Sequence, residues 1–94
     1  MHYNFDWNPD KVRKNNRKHK ISFERATTIF RDPNAISIAD EAHGKDEDRW
    51  ITMGIENNGI LLVVSHTFNT IDKSTCEIRI ISARKAEQHE IHQY

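Results

Sequence analysis

The feature that most constrains this chain is the turn Asn57-Asn58-Gly59, set between two runs that read as strands. Asn and Gly tolerate the positive φ that a tight hairpin demands. Before the turn, RWITMGIE alternates, with Ile51, Met53 and Ile55 on one side and Trp50 and Thr52 on the other. After it, ILLVVSHTF is apolar on both sides until His66, the pattern of a central strand. A chain with this hairpin past its middle is committed to a sheet, and its other segments must be placed around that sheet.

Those segments carry their own signals. NPDKVRKNNRKH reads as a helix with Asn8 as N-cap and Pro9 at the first position, and its basic end suits the negative end of the helix dipole. SFERATTIF reads as a second helix, with Ser22 as cap and Phe23, Ala26, Ile29 and Phe30 on one face. Asp32-Pro33 ends it. Phe5 and Trp7 mark a short strand or anchoring segment, AISIA a short strand, and DEAHGKDED an acidic loop. NTIDKST reads as a connection, EIRIISAR as the last strand, and KAEQHEIHQY as a short C-terminal helix. With 94 residues, 36% of them hydrophobic, the chain fills one modest core. The expected fold is a single α+β domain over residues 1–94: a small antiparallel sheet with two N-terminal helices and a short C-terminal helix.

Formal net charge is +0, so the chain as a whole is no general polyanion binder. The charge is segregated, however. Residues 1–25 hold seven Lys and Arg against three acids, and residues 26–57 hold three against seven. A basic patch of this kind suits a local RNA or phosphate site, and equally a solvated helix face. One cysteine, Cys76, allows no internal disulfide. With no long apolar run, the expected setting is soluble and cytoplasmic, with no membrane partner.

Four groups of residues are chemically informative. Arg79 sits inside the last strand, where alternation groups it with Ile81 and Ala83. It is either a surface residue or an anion ligand. Arg84 and Lys85 stand where that strand is expected to give way to a helix. Ser82 and neighbouring N–H groups would there line an anion site. His66, near the end of the central strand, is either a rim residue or a proton-transfer group. Glu47 and Arg49 alternate onto one face with Trp50 opposite, and Arg17, Lys18, His19 and Lys20 end the basic helix. His89 and His92 share a helix face but lack a third ligand, so no metal and no other cofactor is expected.

Taken together, FDWNPDKVRKNNRKHKISFERATTIFRDP, DEAHGKDEDRWITMG, LLVVSHTF and IRIISARKAEQHEIHQY resemble the BrnT toxins of bacterial type II toxin–antitoxin systems. The resemblance covers essentially the whole chain, in order. It implies a RelE-like fold, ribonuclease activity that arrests growth, and neutralisation by a BrnA-type antitoxin in a 2:2 complex. Operator DNA is contacted only through that antitoxin. By motif it singles out Lys18 and His19 in N-x-x-K-H, with Asn16 taken as its asparagine. It also singles out Glu47 and Arg49 in E-x-R, Arg79 and Arg84 in R-I-I-S-A-R, and Glu90 and Tyr94 at the close. Lys20 stands where the family often has a glycine, NTIDKSTCE is longer than the usual link and lacks the basic residue often found there, and Glu87 replaces a small hydroxyl residue.

The implied chemistry is attack of a 2′-OH on its own phosphate. Arg79 and Arg84 would clamp the phosphate, with Arg49 or Lys18 in support. Glu47 or His66 would be the base, and His19 or His66 the acid. Arg17, Lys20, Lys85 and Tyr94 are the expected RNA contacts. The competing expectations are a non-catalytic binding module and a sheet whose arginines form structural ion pairs.

Overall fold

A computed structural model describes residues 2–41 and 48–94. Its elements are β1 (His2–Trp7), α1 (Pro9–His19), α2 (Phe23–Thr27) with a 3-10 turn Thr28–Arg31, β2 (Ile36–Ala39), β3 (Arg49–Ile55), β4 (Leu61–Thr67), β5 (Asn69–Thr70), β6 (Thr75–Lys85) and α3 (Gln88–Ile91). The architecture is α+β, with strands in the order β1-β6-β4-β3-β2 and β5 paired to the start of β6. The expected all-antiparallel sheet is corrected at one edge, because β1 runs parallel to β6, with Phe5 opposite Ile78 and Trp7 opposite Ile80. The long connection that a parallel pair requires is supplied by everything between them, α1, α2 and the strands β2 to β5.

Local signals account for most element boundaries. Asn8 Oδ1 accepts from Asp10 N at 2.8 Å and Ser22 Oγ from Arg25 N at 3.1 Å, so both helices start at their caps. Lys20 ends α1 in the left-handed region, φ 57°, where a glycine would be unstrained. Gly59 takes φ 85° in the β3–β4 turn, as the hairpin reading requires.

The core lies on one face of the sheet. Phe23, Ala26 and Ile29 pack there with Ile21, Leu62, Val64, Ile78, Ile80 and Ala83. Ala83 belongs to this face only because β6 carries a bulge. Ser65 lies opposite Ser82 but His66 opposite Ile80, so Ile81 is the extra residue. Strict alternation would have grouped Arg79 with Ala83. The bulge instead sends Ala83 into the core and puts Arg84 on the same side of the sheet as Arg79.

Beyond Trp7, β6 has no β1 partner, and α1 supplies one. Asn15 Oδ1 accepts from Ala83 N at 3.0 Å, and its Nδ2 donates to Ala83 O at 2.9 Å and Ile21 O at 3.1 Å. Asn16, expected to fill the motif position, is exposed. The spacing N-x-x-K-H in fact requires Asn15, which is buried.

The C-terminal segment is held by charge. Arg84 donates from both terminal nitrogens to Glu90, each at 2.8 Å, and this fork holds the Glu90 carboxyl down at about 2 from an ordinary 4.5. A depressed carboxyl contributes stability that is present above pH 4.5 and is lost as pH falls toward 2. Discounted for solvent screening at a partly open site, the contribution is about 1–2 kcal/mol. Melting temperature is therefore expected to fall through this window, and to fall less steeply in Glu90→Gln. Equal slopes for the two proteins would refute the assignment.

Candidate active site

Three cavities gather the candidate residues, and they do not gather them as the sequence suggested. The first, about 470 Å³, is lined by Asp6, Asp48, Thr67, Phe68, Asn69, Glu77 and Arg79. Asp6 and Arg79 face each other across the parallel β1–β6 pair, and Arg79 Nε donates to Asp6 Oδ1 at 3.2 Å. Both side chains are about half exposed, 55% and 53%, so the pair holds the guanidinium in place at a net worth of about 0.2–1 kcal/mol. Thr67 joins the neighbouring strands, because its Oγ1 accepts from Arg79 N at 3.3 Å and it lies opposite Arg49 in the β3–β4 pairing. Arg49, Thr67 and Arg79 thus start from one row across three adjacent strands, on the face away from α1 and α2. Glu47 lies outside the described residues.

A second cavity, about 600 Å³, opens where α1 passes the unpaired edge of β6. Lys11, Lys14, Lys18, His19 and Arg84 line it with Ser82 and Glu87. Among the described residues, none of Lys11, Lys14 and Lys18 makes a salt bridge. This is the basic groove that the charge segregation implied.

Arg79 and Arg84 therefore line different cavities and do not form one clamp. The expected helix N-terminus at Ser82 is also absent: β6 continues to Lys85, and α3 begins at Gln88 behind a capping box between Glu87 and Glu90. Arg84 spends its fork on Glu90. Lys85 is exposed at the strand end, while Arg17 and Lys20 are exposed around the end of α1. Tyr94 lines neither cavity. Its hydroxyl donates to Asp32, which also accepts from Ile55 N at 2.8 Å, and these bonds lower the Asp32 carboxyl pKa and raise that of the phenol.

His66 faces the helix side, away from Arg79, and is 2% exposed. Its Nδ1 lies 3.0 Å from Thr67 O and its Nε2 2.7 Å from Thr52 Oγ1, so both nitrogens are occupied. Burial pushes its pKa down, which leaves the ring neutral at pH 7. It lines a third cavity of about 300 Å³ with Tyr3, Phe30, Ala35, Ser37, Trp50, Thr52 and Phe68. The role of base or acid beside the arginines does not fit this placement.

Asp6, Asp48 and Thr67 were not singled out from sequence. The alternation of Glu77 with Arg79 was the available signal, but the β1–β6 pairing that adds Asp6 is not local. Among the described residues, no three His, Cys, Asp or Glu side chains are grouped so as to hold a metal ion. No described helix is long and apolar enough to cross a membrane.

A family model described as "Ribonuclease toxin, BrnT, of type II toxin-antitoxin system" matches residues 7–90. The chain belongs to the BrnT family. The match runs from Trp7 at the end of β1 through β6 into α3, so of the residues that line the three cavities only Asp6 and Tyr3 lie outside it. BrnT toxins, as type II toxins, have a protein antitoxin as partner. No curated protein matches the chain. Among solved structures, the 1.1 Å crystal structure of the Brucella abortus ribonuclease toxin BrnT is similar, with a TM-score of 0.65 and 21% identity. That likeness covers 94% of this chain and 100% of the other, and it supports the BrnT fold.

Proposed function

We propose that this BrnT chain is a metal-independent endoribonuclease acting in the cytoplasm, with its reaction centre in the cleft around Arg79. The observation that carries this reading is the cleft's composition: a fixed guanidinium beside several carboxylates, on a sheet face open to a strand of RNA. Attack of a 2′-OH on the adjacent phosphorus needs a proton acceptor, a cation for the developing charge and a donor for the leaving 5′-oxygen. Arg79 supplies the cation, and Arg49 begins in the same row. Asp48 or Glu77 on the cleft wall is the proton acceptor, or Glu47, whose position lies outside the described residues. A second carboxyl of the set, in its acid form, returns a proton to the leaving oxygen. The purified protein is expected to cut RNA in EDTA, and RNA left intact would count against the reading.

The α1–β6 groove is read as the track for the RNA backbone, with Lys14 and Lys18 on phosphates and His19 and Arg84 at its wall. Lys14→Ala with Lys18→Ala is expected to weaken binding about equally for all RNA sequences. The slope of log K against log salt should also fall, by roughly 0.7 per lost contact. An unchanged slope in a binding titration would exclude the groove. The partner is read as a BrnA-type antitoxin in a 2:2 complex that reaches operator DNA, and the fold as RelE-like.

A further inference from the structure

The third cavity is not used by the chemistry above, yet it shares a wall with the proposed reaction centre. Phe68 lines both the Arg79 cleft and the cavity beside His66. The strand end that places it also sends Thr67 toward Arg79 and His66 toward the cavity. Three further rings, Tyr3, Phe30 and Trp50, complete the aromatic lining. Two of them are fixed by edge contacts: Phe30 stands edge-on to His66 at 4.9 Å between centroids, and Tyr3 meets Phe30 at 6.4 Å. A mostly apolar hollow of about 300 Å³ with a few placed polar groups has the make-up of a small-ligand site. Rings lining a hollow next to a backbone cleft are how proteins hold unstacked bases of single-stranded RNA.

The polar groups fix what such a base must offer. A carbonyl only accepts, so His66 Nδ1 carries the proton donated to Thr67 O, and in the neutral ring Nε2 is the acceptor. Thr52 Oγ1 must then donate to Nε2 at 2.7 Å. Its one hydrogen being used, Ser37 Oγ donates to Thr52 Oγ1, also at 2.7 Å. Ser37 sits on β2 and is exposed, so the relay ends at an oxygen with only lone pairs left to offer. Adenine and cytosine present an exocyclic amino donor where uracil presents a carbonyl.

We propose that this cavity receives a base of the RNA substrate next to the cleaved phosphate, and that it favours a base carrying an exocyclic amino group over uracil. This rests on the ribonuclease reading and extends it to substrate choice. The experiment is quenching of tryptophan emission by AMP and by UMP, in the wild type and in Trp50→Phe, which leaves Trp7 as reporter. AMP is expected to quench the wild type more tightly than UMP, and Trp50→Phe is expected to lose most of the signal. Phe68→Leu, which keeps apolar bulk and leaves the Trp50 reporter in place, should weaken AMP binding roughly 5- to 150-fold, the usual worth of one stacked ring. Ser37→Ala should remove the AMP preference while leaving UMP binding in place. Equal AMP and UMP affinities, or quenching untouched in Trp50→Phe, would overturn the proposal. Wild-type protein that cuts RNA but is quenched by neither nucleotide would overturn the base site and leave the nuclease reading standing. Selective AMP quenching by protein that leaves RNA intact would support the base site and remove the nuclease.

Discussion

Replacing Arg79 with alanine is expected to lower the rate of RNA cleavage by roughly 10²–10³-fold, the usual cost of losing one positioned donor at a developing charge. The fold should survive. Arg79 lies on the face away from the core, and its bond to Asp6 is half exposed and of little net worth. Arg79→Lys should restore only part of the activity, because a lysine keeps the charge but not the planar fork. A binding-module account predicts instead that Arg79→Ala disrupts partner binding with no catalytic rate to lose. An account in which Arg79 is merely a structural pair predicts a lower melting temperature with unchanged cleavage. Single-turnover rates and a melt of the same preparation separate the three.

The largest stability effect is expected at Asn15. Substitution by alanine strands three buried groups at once, the N–H and C=O of Ala83 and the C=O of Ile21. A buried polar group left without its partner costs about 1–3 kcal/mol, and some relaxation is available at a sheet edge, so the total should be about 2–4 kcal/mol. With a urea m-value of roughly 1–3 kcal/mol per molar, the unfolding midpoint should move down by about 1–3 M. Asn15→Asp keeps the acceptor for Ala83 N but places a carboxylate against two carbonyls, so it is expected to be no better. Asn16→Ala, one residue along and exposed, should change the midpoint little. A small effect at Asn15 would mean that β6 holds its course past Trp7 without α1.

The contrast between these neighbours shows what the sequence could and could not reveal. Helix starts at Asn8 and Ser22 and the turn at Gly59 were legible because a cap or a positive φ is decided by residues a few positions apart. The central place of ILLVVSHT was legible from its two apolar faces, and the sheet sets it between β3 and β6. The parallel partnership of β1 with β6 joins residues more than seventy positions apart, and no local pattern encodes it. The bulge at Ile81 was equally hidden. Read with strict alternation, IRIISAR puts Arg79 and Arg84 on opposite faces. The extra residue reverses that, but Arg84 is then taken by Glu90 and turned toward the α1 groove. His66 was legible as a special residue in an apolar strand, whereas its direction, fixed by pairing with Trp50 and by Thr52 behind it, was not.

The most direct test of the central claim is the chemistry of the ends left when the purified protein cuts a defined oligoribonucleotide in EDTA. Attack by the 2′-OH at the Arg79 cleft predicts a 2′,3′-cyclic phosphate, or the 3′-phosphate it hydrolyses to, beside a 5′-hydroxyl, all readable by mass spectrometry. A 3′-hydroxyl with a 5′-phosphate, or RNA that stays intact until a divalent metal is added, would contradict the account.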